Sequence, residues 1–145
     1  MIVRTILKDK STSEIATTIA AQKVIDATKL LAHWRIGALV VINEQRELVG
    51  ILSERDIVRG MAIHGAAVQE MTVGQLMTSE VLTCSPNDSL ESLMSVMTNN
   101  RIRHLPVLES GKLVGIITIG DVVKCRLEET TQQVDTLREY VMSAH

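Results

Sequence analysis

Two short runs in this chain carry the same pair of chemically useful side chains at the same spacing. Ser53-Glu54-Arg55-Asp56 and Thr118-Ile119-Gly120-Asp121 each put a hydroxyl three residues ahead of a carboxylate, and each follows an apolar stretch entered through glycine, Gly50-Ile51-Leu52 and Gly115-Ile116-Ile117. A strand that runs straight into a helix start leaves the first helical amides without internal partners, at the positive end of the helix dipole, where a phosphate can sit. An aspartate one turn in offers two acceptor oxygens, which suit the vicinal hydroxyls of a ribose. The same residues also read as capping boxes that close a helix end with no ligand. One copy alone reads first as a cap, whereas two copies in matching context favour a site.

The elements that must position these corners follow from periodicity. Ile2 to Leu7 is a short apolar piece, Lys8 to Ser13 a polar loop, and Ile15 to Ile19 a β-branched strand. Between Lys23 and Arg35 the apolar residues Val24, Ala27, Leu30, Leu31 and Trp34 recur at helical spacing, which predicts an amphipathic helix. Ala38 to Ile42 and Leu48 to Leu52 read as strands around the turn Asn43 to Arg46, a helix runs from Ser53 to about Met61, and Gly60 to Ala67 reads as a connector. Val81 to Leu108 repeats Ile15 to Ile42: Thr17 aligns with Thr83, Val24 with Leu90, Arg35 with Arg101, Leu39 with Leu105 and Val41 with Val107.

The chain is therefore an internally duplicated α/β (α+β) protein of two β-α-β-β-α repeats, expected at residues 1–65 and 73–126 with a connector at 66–72. A unit of roughly 60 residues buries its sheet poorly by itself, so the copies are expected to pack about a pseudo-twofold axis and leave two equivalent clefts, each with one corner. Beyond the second corner a long helix continues into an extension at 127–145. Its residues Val123, Leu127, Thr130, Val134, Leu137 and Val141 form an a/d-type seam, expected to dock on its own domain or across a homodimer.

Composition removes several functions. A net charge of −2 is too little positive charge for a chain whose main partner is nucleic acid, and with only Trp34 and Tyr140 as aromatics there is no stacking platform for single strands. No apolar run reaches membrane-span length, and Arg4, Lys8 and Asp9 stand where a signal peptide would be greasy, so a cytoplasmic protein without a membrane partner is expected. Cys84 and Cys125 lack metal-ligand spacing, and His104 has no second ligand near it in sequence, so no metal is expected.

The tandem order of Val73 to Thr78, Val81 to Pro86, Arg101-Ile102-Arg103-His104-Leu105-Pro106-Val107 and Gly115 to Asp121 resembles a cystathionine-β-synthase (CBS) domain pair, of the short stand-alone bacterial type. The resemblance implies a regulatory, non-catalytic module whose inter-repeat clefts hold an adenosine compound, AMP, ADP, ATP or a related adenine nucleotide, NAD(H) or S-adenosylmethionine. It implies that Asp121 and Asp56 hold ribose hydroxyls, with Thr118 and Ser53 on ribose or phosphate. Thr83-Cys84 and Thr17-Thr18 would read the base edge, while Ile102, Leu105, Pro106 and Val107 wall the base. Arg103, His104 and Arg55 would be the phosphate cations.

The first repeat departs from the second: Ala20 replaces Pro86, Val40 replaces Pro106, and Gly37-Ala38 replaces Arg103-His104. The Asp121 cleft is therefore expected to be the better ribose site, and the Asp56 cleft either borrows cations from the other repeat, or differs in affinity, or is unused. Two other classes stay open. One is a structural dimerisation or protein-interaction module without ligand, acting on an unidentified regulated protein. The other is a thiol hydrolase built on Cys84, His104 and Asp121, for which the chain shows no oxyanion motif.

Overall fold

The computed structural model describes residues 1–10 and 15–143. Residues 11–13 of the expected Lys8–Ser13 loop, and residues 144 and 145 of the C-terminal extension, lie outside the described residues. The elements run α1 (Val3–Asp9), β1 (Thr17–Thr18), α2 (Val24–Trp34), β2 (Ala38–Ile42), β3 (Leu48–Ser53), α3 (Glu54–His64), a 3-10 turn (Gly65–Glu70), α4 (Val73–Leu76), α5 (Leu90–Asn100), β4 (His104–Glu109), β5 (Lys112–Thr118) and α6 (Ile119–Ser143).

The two repeats share a pattern. β1 pairs in parallel with β2, which pairs antiparallel with β3. In the second copy β4 and β5 form the hairpin, and a single parallel bridge from Cys84 to Val107 stands for the first strand. The strand expected over Ile15–Ile19 shrinks to two residues, because only Thr17 and Thr18 find partners on β2. α3 runs past the expected Met61 to His64, and the expected connector is the 3-10 turn. Both long helices before a hairpin end on a left-handed arginine, Arg35 at φ 54° and Arg101 at φ 52°, whose amide closes the last turn.

The cores form across the sequence order. Val3 and Ile6 of α1 are buried with Leu90, Leu93, Met97, Leu105 and Ile117 of the second copy, whereas Val73 of α4 is buried with Ala27, Leu31, Leu39 and Leu52 of the first. Matching backbone bonds fix both exchanges. Val3 N donates to Asp88 O at 2.9 Å and Leu90 N to Met1 O at 3.0 Å; Val73 N donates to Gln22 O at 2.8 Å and Val24 N to Met71 O at 2.8 Å. Each repeat thus lends its leading helix to the other core. At roughly 1.5–3 kcal/mol per fully buried aliphatic side chain, these helices fasten the halves together. Two equivalent glycines admit them: a Cβ on Gly115 would meet Leu7 of α1 at 2.6 Å, and one on Gly50 would meet Met77, just after α4, at 2.5 Å.

α6 leaves the body early. Val122 and Cys125 are its buried residues, while Leu127 (63% exposed), Leu137 (62%) and Tyr140 (72%) face outward, so the seam does not dock on its own domain.

Candidate functional site: two clefts between the repeats

The start of α3 shows how local sequence builds the first corner. Ser53 Oγ accepts from Asp56 N at 3.2 Å, and Ser53 N donates to Asp56 Oδ2 at 2.9 Å, which completes a capping box. Glu54 N donates to Gly37 O at 3.0 Å, which leaves the Arg55 amide as the first-turn donor without a partner among the described residues. The start of α6 repeats this with Thr118, Asp121 and Ile119 N, which donates to Arg103 O at 2.9 Å, leaving the Gly120 amide. The helix starts therefore offer a phosphate one open amide each rather than a full turn of them.

Around these corners lie two clefts that meet at Gly37, His104 and Thr118. The first, about 280 Å³, is lined by Ser53, Asp56 and Arg55 from the first repeat and by Leu82, Arg101 and Arg103 from the second. The second, about 580 Å³, is lined by Thr17, Trp34 and Arg35 from the first repeat and by Thr118 from the second, with Lys10 at its edge. The first cleft joins the Ser53–Asp56 corner of the first repeat to the strand lead-in and helix end of the second. The second cleft joins Thr118 to the strand lead-in and helix end of the first, and Asp121, expected at the better ribose site, is not among the residues that line it. The exchange follows from pseudo-twofold packing, which turns each helix start toward the opposite repeat.

That geometry corrects the pairing expected within a repeat. Arg103, of the second repeat, lines the Asp56 cleft and not the second cleft. Arg55 Nη1 donates to Arg101 O at 2.5 Å, tying the two repeats across that cleft. Asp56 is 6% exposed and bonded at every turn: besides the cap, Thr78 Oγ1 donates to its Oδ1 at 3.0 Å and Arg59 Nη1 stands 3.8 Å away. Asp121 is less enclosed. Its Oδ2 takes Lys10 Nζ at 2.9 Å, and Lys10 also donates to Ile116 O at 2.8 Å.

Several residues expected at the site are placed elsewhere. Strand alternation sends neighbours to opposite faces, so Thr17 lines a cleft while Thr18 is buried with its hydroxyl on Gln22. Cys84, the counterpart of Thr18, is buried in the second core beside Leu105 and Val107, and Pro106 is buried in β4. Thr83 is exposed, but the cleft wall at that point is Val81 and Leu82. Of the four residues expected to wall a base, Ile102 alone lines a cleft.

Burial, reinforced by Asp88, pushes the Cys84 thiol up to about 12. A thiol in the core and off the cleft is no nucleophile at neutral pH, so the Cys84–His104–Asp121 trio is not assembled. His104 stands between the clefts. Burial holds its imidazole below the ordinary value of 6.5, with Arg103, Lys10 and Arg55 adding to the effect against the opposing pull of Glu54. Gly37 lets these groups crowd: a Cβ there would stand 3.1 Å from Glu54 Oε1 and from His104 Cε1. Among the described residues no cluster of His, Cys, Asp or Glu could hold a metal, and no helix is long and apolar enough to cross a membrane.

The fold and clefts define a class: a two-repeat module with ligand-sized pockets at the pseudo-twofold interface. The CBS domain family model matches residues 5–63 and 73–128, and the chain belongs to the CBS-domain family. A solved CBS-domain protein from Agrobacterium tumefaciens is 39% identical with a TM-score of 0.83, covering 86% of this chain and 92% of its own. The mitochondrial CBS domain-containing protein CBSX3 of Arabidopsis thaliana is 36% identical over 126 residues, 84% of this chain and 61% of that protein's length. CBSX2, solved in complex with AMP, is 25% identical with a TM-score of 0.74, covering 88% of this chain and 97% of its own. CBS-domain pairs are regulatory modules rather than catalysts.

Proposed function

We propose that this CBS pair is a regulatory module that binds an adenine nucleotide between its repeats, with AMP, ADP or ATP ahead of NAD(H). One observation carries the reading: the first cleft has the hydroxyl-x-x-Asp corner Ser53–Asp56 from one repeat facing the arginine-bearing helix end Arg101–Arg103 from the other. A ribose on the carboxylate and a phosphate among the arginines would bond to both repeats at once, so binding would stiffen their interface. The AMP complex of CBSX2 supports the ligand class. At about 280 Å³ the first cleft suits one nucleotide rather than two, which favours a mononucleotide over NAD(H).

A thermal-shift panel of AMP, ATP and NADH tests this. A ligand at a hundred times its dissociation constant adds about 2.7 kcal/mol to stability. AMP is expected to raise the melting temperature, and Arg103→Ala to reduce the rise. No shift with any compound would sink the reading.

A second reading has its own observation. The exposed seam of α6 suits a homodimer or another protein, and the bonded state of Asp56 is what a cap alone would give. In that case Leu127→Glu with Leu137→Glu would lower the mass measured by light scattering, while AMP would do nothing.

A further inference from the structure

α6 outruns the body it belongs to. Residues 129–143 lie past the part of the chain matched to the CBS family, and from Thr130 to Ser143 every residue is exposed. A free helix of that length is marginal in water unless an apolar face is covered. Such a face is present: Val123, Leu127, Thr130, Val134, Leu137 and Val141 alternate at four and three residues, and all are exposed. It cannot turn onto its own domain, because the helix is already fixed on another side. Val122 and Cys125 are buried, and Glu129 pairs with the N-terminal ammonium of Met1 at 3.3 Å. At roughly 100° per residue the seam lies about a third of a turn round from those anchors, which leaves room for a second helix.

The residue types say what that helix is. In heptad terms Leu127, Val134 and Val141 fall at a, and Val123, Thr130 and Leu137 at d. Valines at a with a leucine at d between them are the pattern of two parallel strands. Thr130 is the polar layer, and it meets its own copy only in a parallel, in-register pair. Flanking charge agrees. A parallel pair sets Arg126 against Thr131 of the second copy and Gln133 against Arg138, with no like charges opposed. The antiparallel register that uses the whole seam, Leu127 facing Leu137, puts Thr130 against Val134 and opposes Lys124 to Arg138 at both ends. Like charges facing each other cost stability and disfavour that arrangement.

We propose that residues 127–143 form a parallel two-stranded coiled coil with the same segment of a second copy of this chain. This makes specific the protein-contact reading of α6 given above and rests on it; it is independent of the nucleotide reading. Ile119, the first residue of α6, lines the first cleft, so the coil is a continuation of a cleft wall.

Val141→Cys tests the arrangement, because the two native cysteines are buried. On mild oxidation with copper phenanthroline, most Val141→Cys chains should become disulfide-linked dimers, while the wild type gives none. Adding Leu137→Glu should abolish the link, and Leu137→Glu alone should halve the mass measured by light scattering. Both positions are exposed in the single chain, so the fold of the body does not depend on them. A monomeric wild type overturns the proposal and leaves the seam to a different protein. A dimer whose mass survives Leu137→Glu also overturns it, since the bodies then hold the pair. If Leu137→Glu halves the mass but Val141→Cys links only to Val123→Cys chains mixed with it, the helices run antiparallel: the contact reading stands and this proposal falls. The thermal shift with AMP, read on the same proteins, bears on the nucleotide reading alone.

Discussion

The first cleft is small and crossed by charge, with Arg55, Arg101 and Arg103 around a buried, fully bonded Asp56. The second is twice as roomy, walled by Trp34, Leu30 and Ile36, with Lys10 in its lining and ion-paired to Asp121. Both stand on the same backbone: a hydroxyl-capped helix start, a left-handed arginine and an exchanged leading helix. Duplication preserves the frame because core positions such as Leu39 and Leu105, both fully buried, tolerate little change. Rim positions carry no such constraint. Replacing Gly37-Ala38 by Arg103-His104 changes the chemistry without disturbing the fold.

The largest expected effect tests whether the exchanged helix belongs to the second cleft. Ile6 is 3% exposed in the second core, so Ile6→Ala should cost about 2–5 kcal/mol in urea unfolding. Because α1 leads directly to Lys10, it should also disturb the fluorescence response of Trp34, in the second cleft, to AMP more than binding in the first cleft. Equal loss in both clefts would break the distinction.

Charge removal comes next. If Arg103 serves only the first cleft, Arg103→Ala should weaken calorimetric AMP binding there by about tenfold to a hundredfold, the loss of a charge-assisted bond. The Trp34 titration should be unmoved, and a parallel loss would show that the clefts act as one.

Thr78→Val probes the neutral partner of Asp56. Removing a hydroxyl from a buried carboxylate should lower stability by about 1–3 kcal/mol in thermal or urea unfolding. It should leave the Trp34 response to AMP unchanged, since Thr78 lines the first cleft and Trp34 the second.

The smallest effect belongs to His104, which both clefts share. Its imidazole is held below 6.5 in the folded protein, so as pH falls below that value the unfolded chain takes up the proton first. Stability should be steady above pH 6.5 and decline below it, until the folded form is protonated too. His104→Gln should flatten that decline in a melting series. AMP, by placing an anion near the imidazole, should favour its charged form and lessen the same decline.

Much of this was legible in the chain because its signals are local. Capping boxes at Ser53 and Thr118, helical spacing from Val24 to Trp34 and the β-branched run Ala38 to Ile42 each concern neighbours in sequence. Lys10, Thr78, Leu82 and Gly37 were missed as site residues because their roles arise from the opposite repeat. One signal was available: Val3, Ile6 and Leu7 match Val73, Leu76 and Met77, so the duplication reaches back through α1. The strand residues were half right, since alternation could say that Thr17 and Thr18 face opposite ways but not which face is the cleft.

The amino-acid sequence by itself determined the duplicated unit, its elements and the two carboxylate corners, since periodicity and capping are set within a few residues. Tertiary structure alone decided that Asp56 shares a cleft with the arginines of the other repeat while Asp121 pairs with Lys10. The physical reason is that packing about a pseudo-twofold axis places each helix start against the opposite repeat, and no local preference encodes that choice.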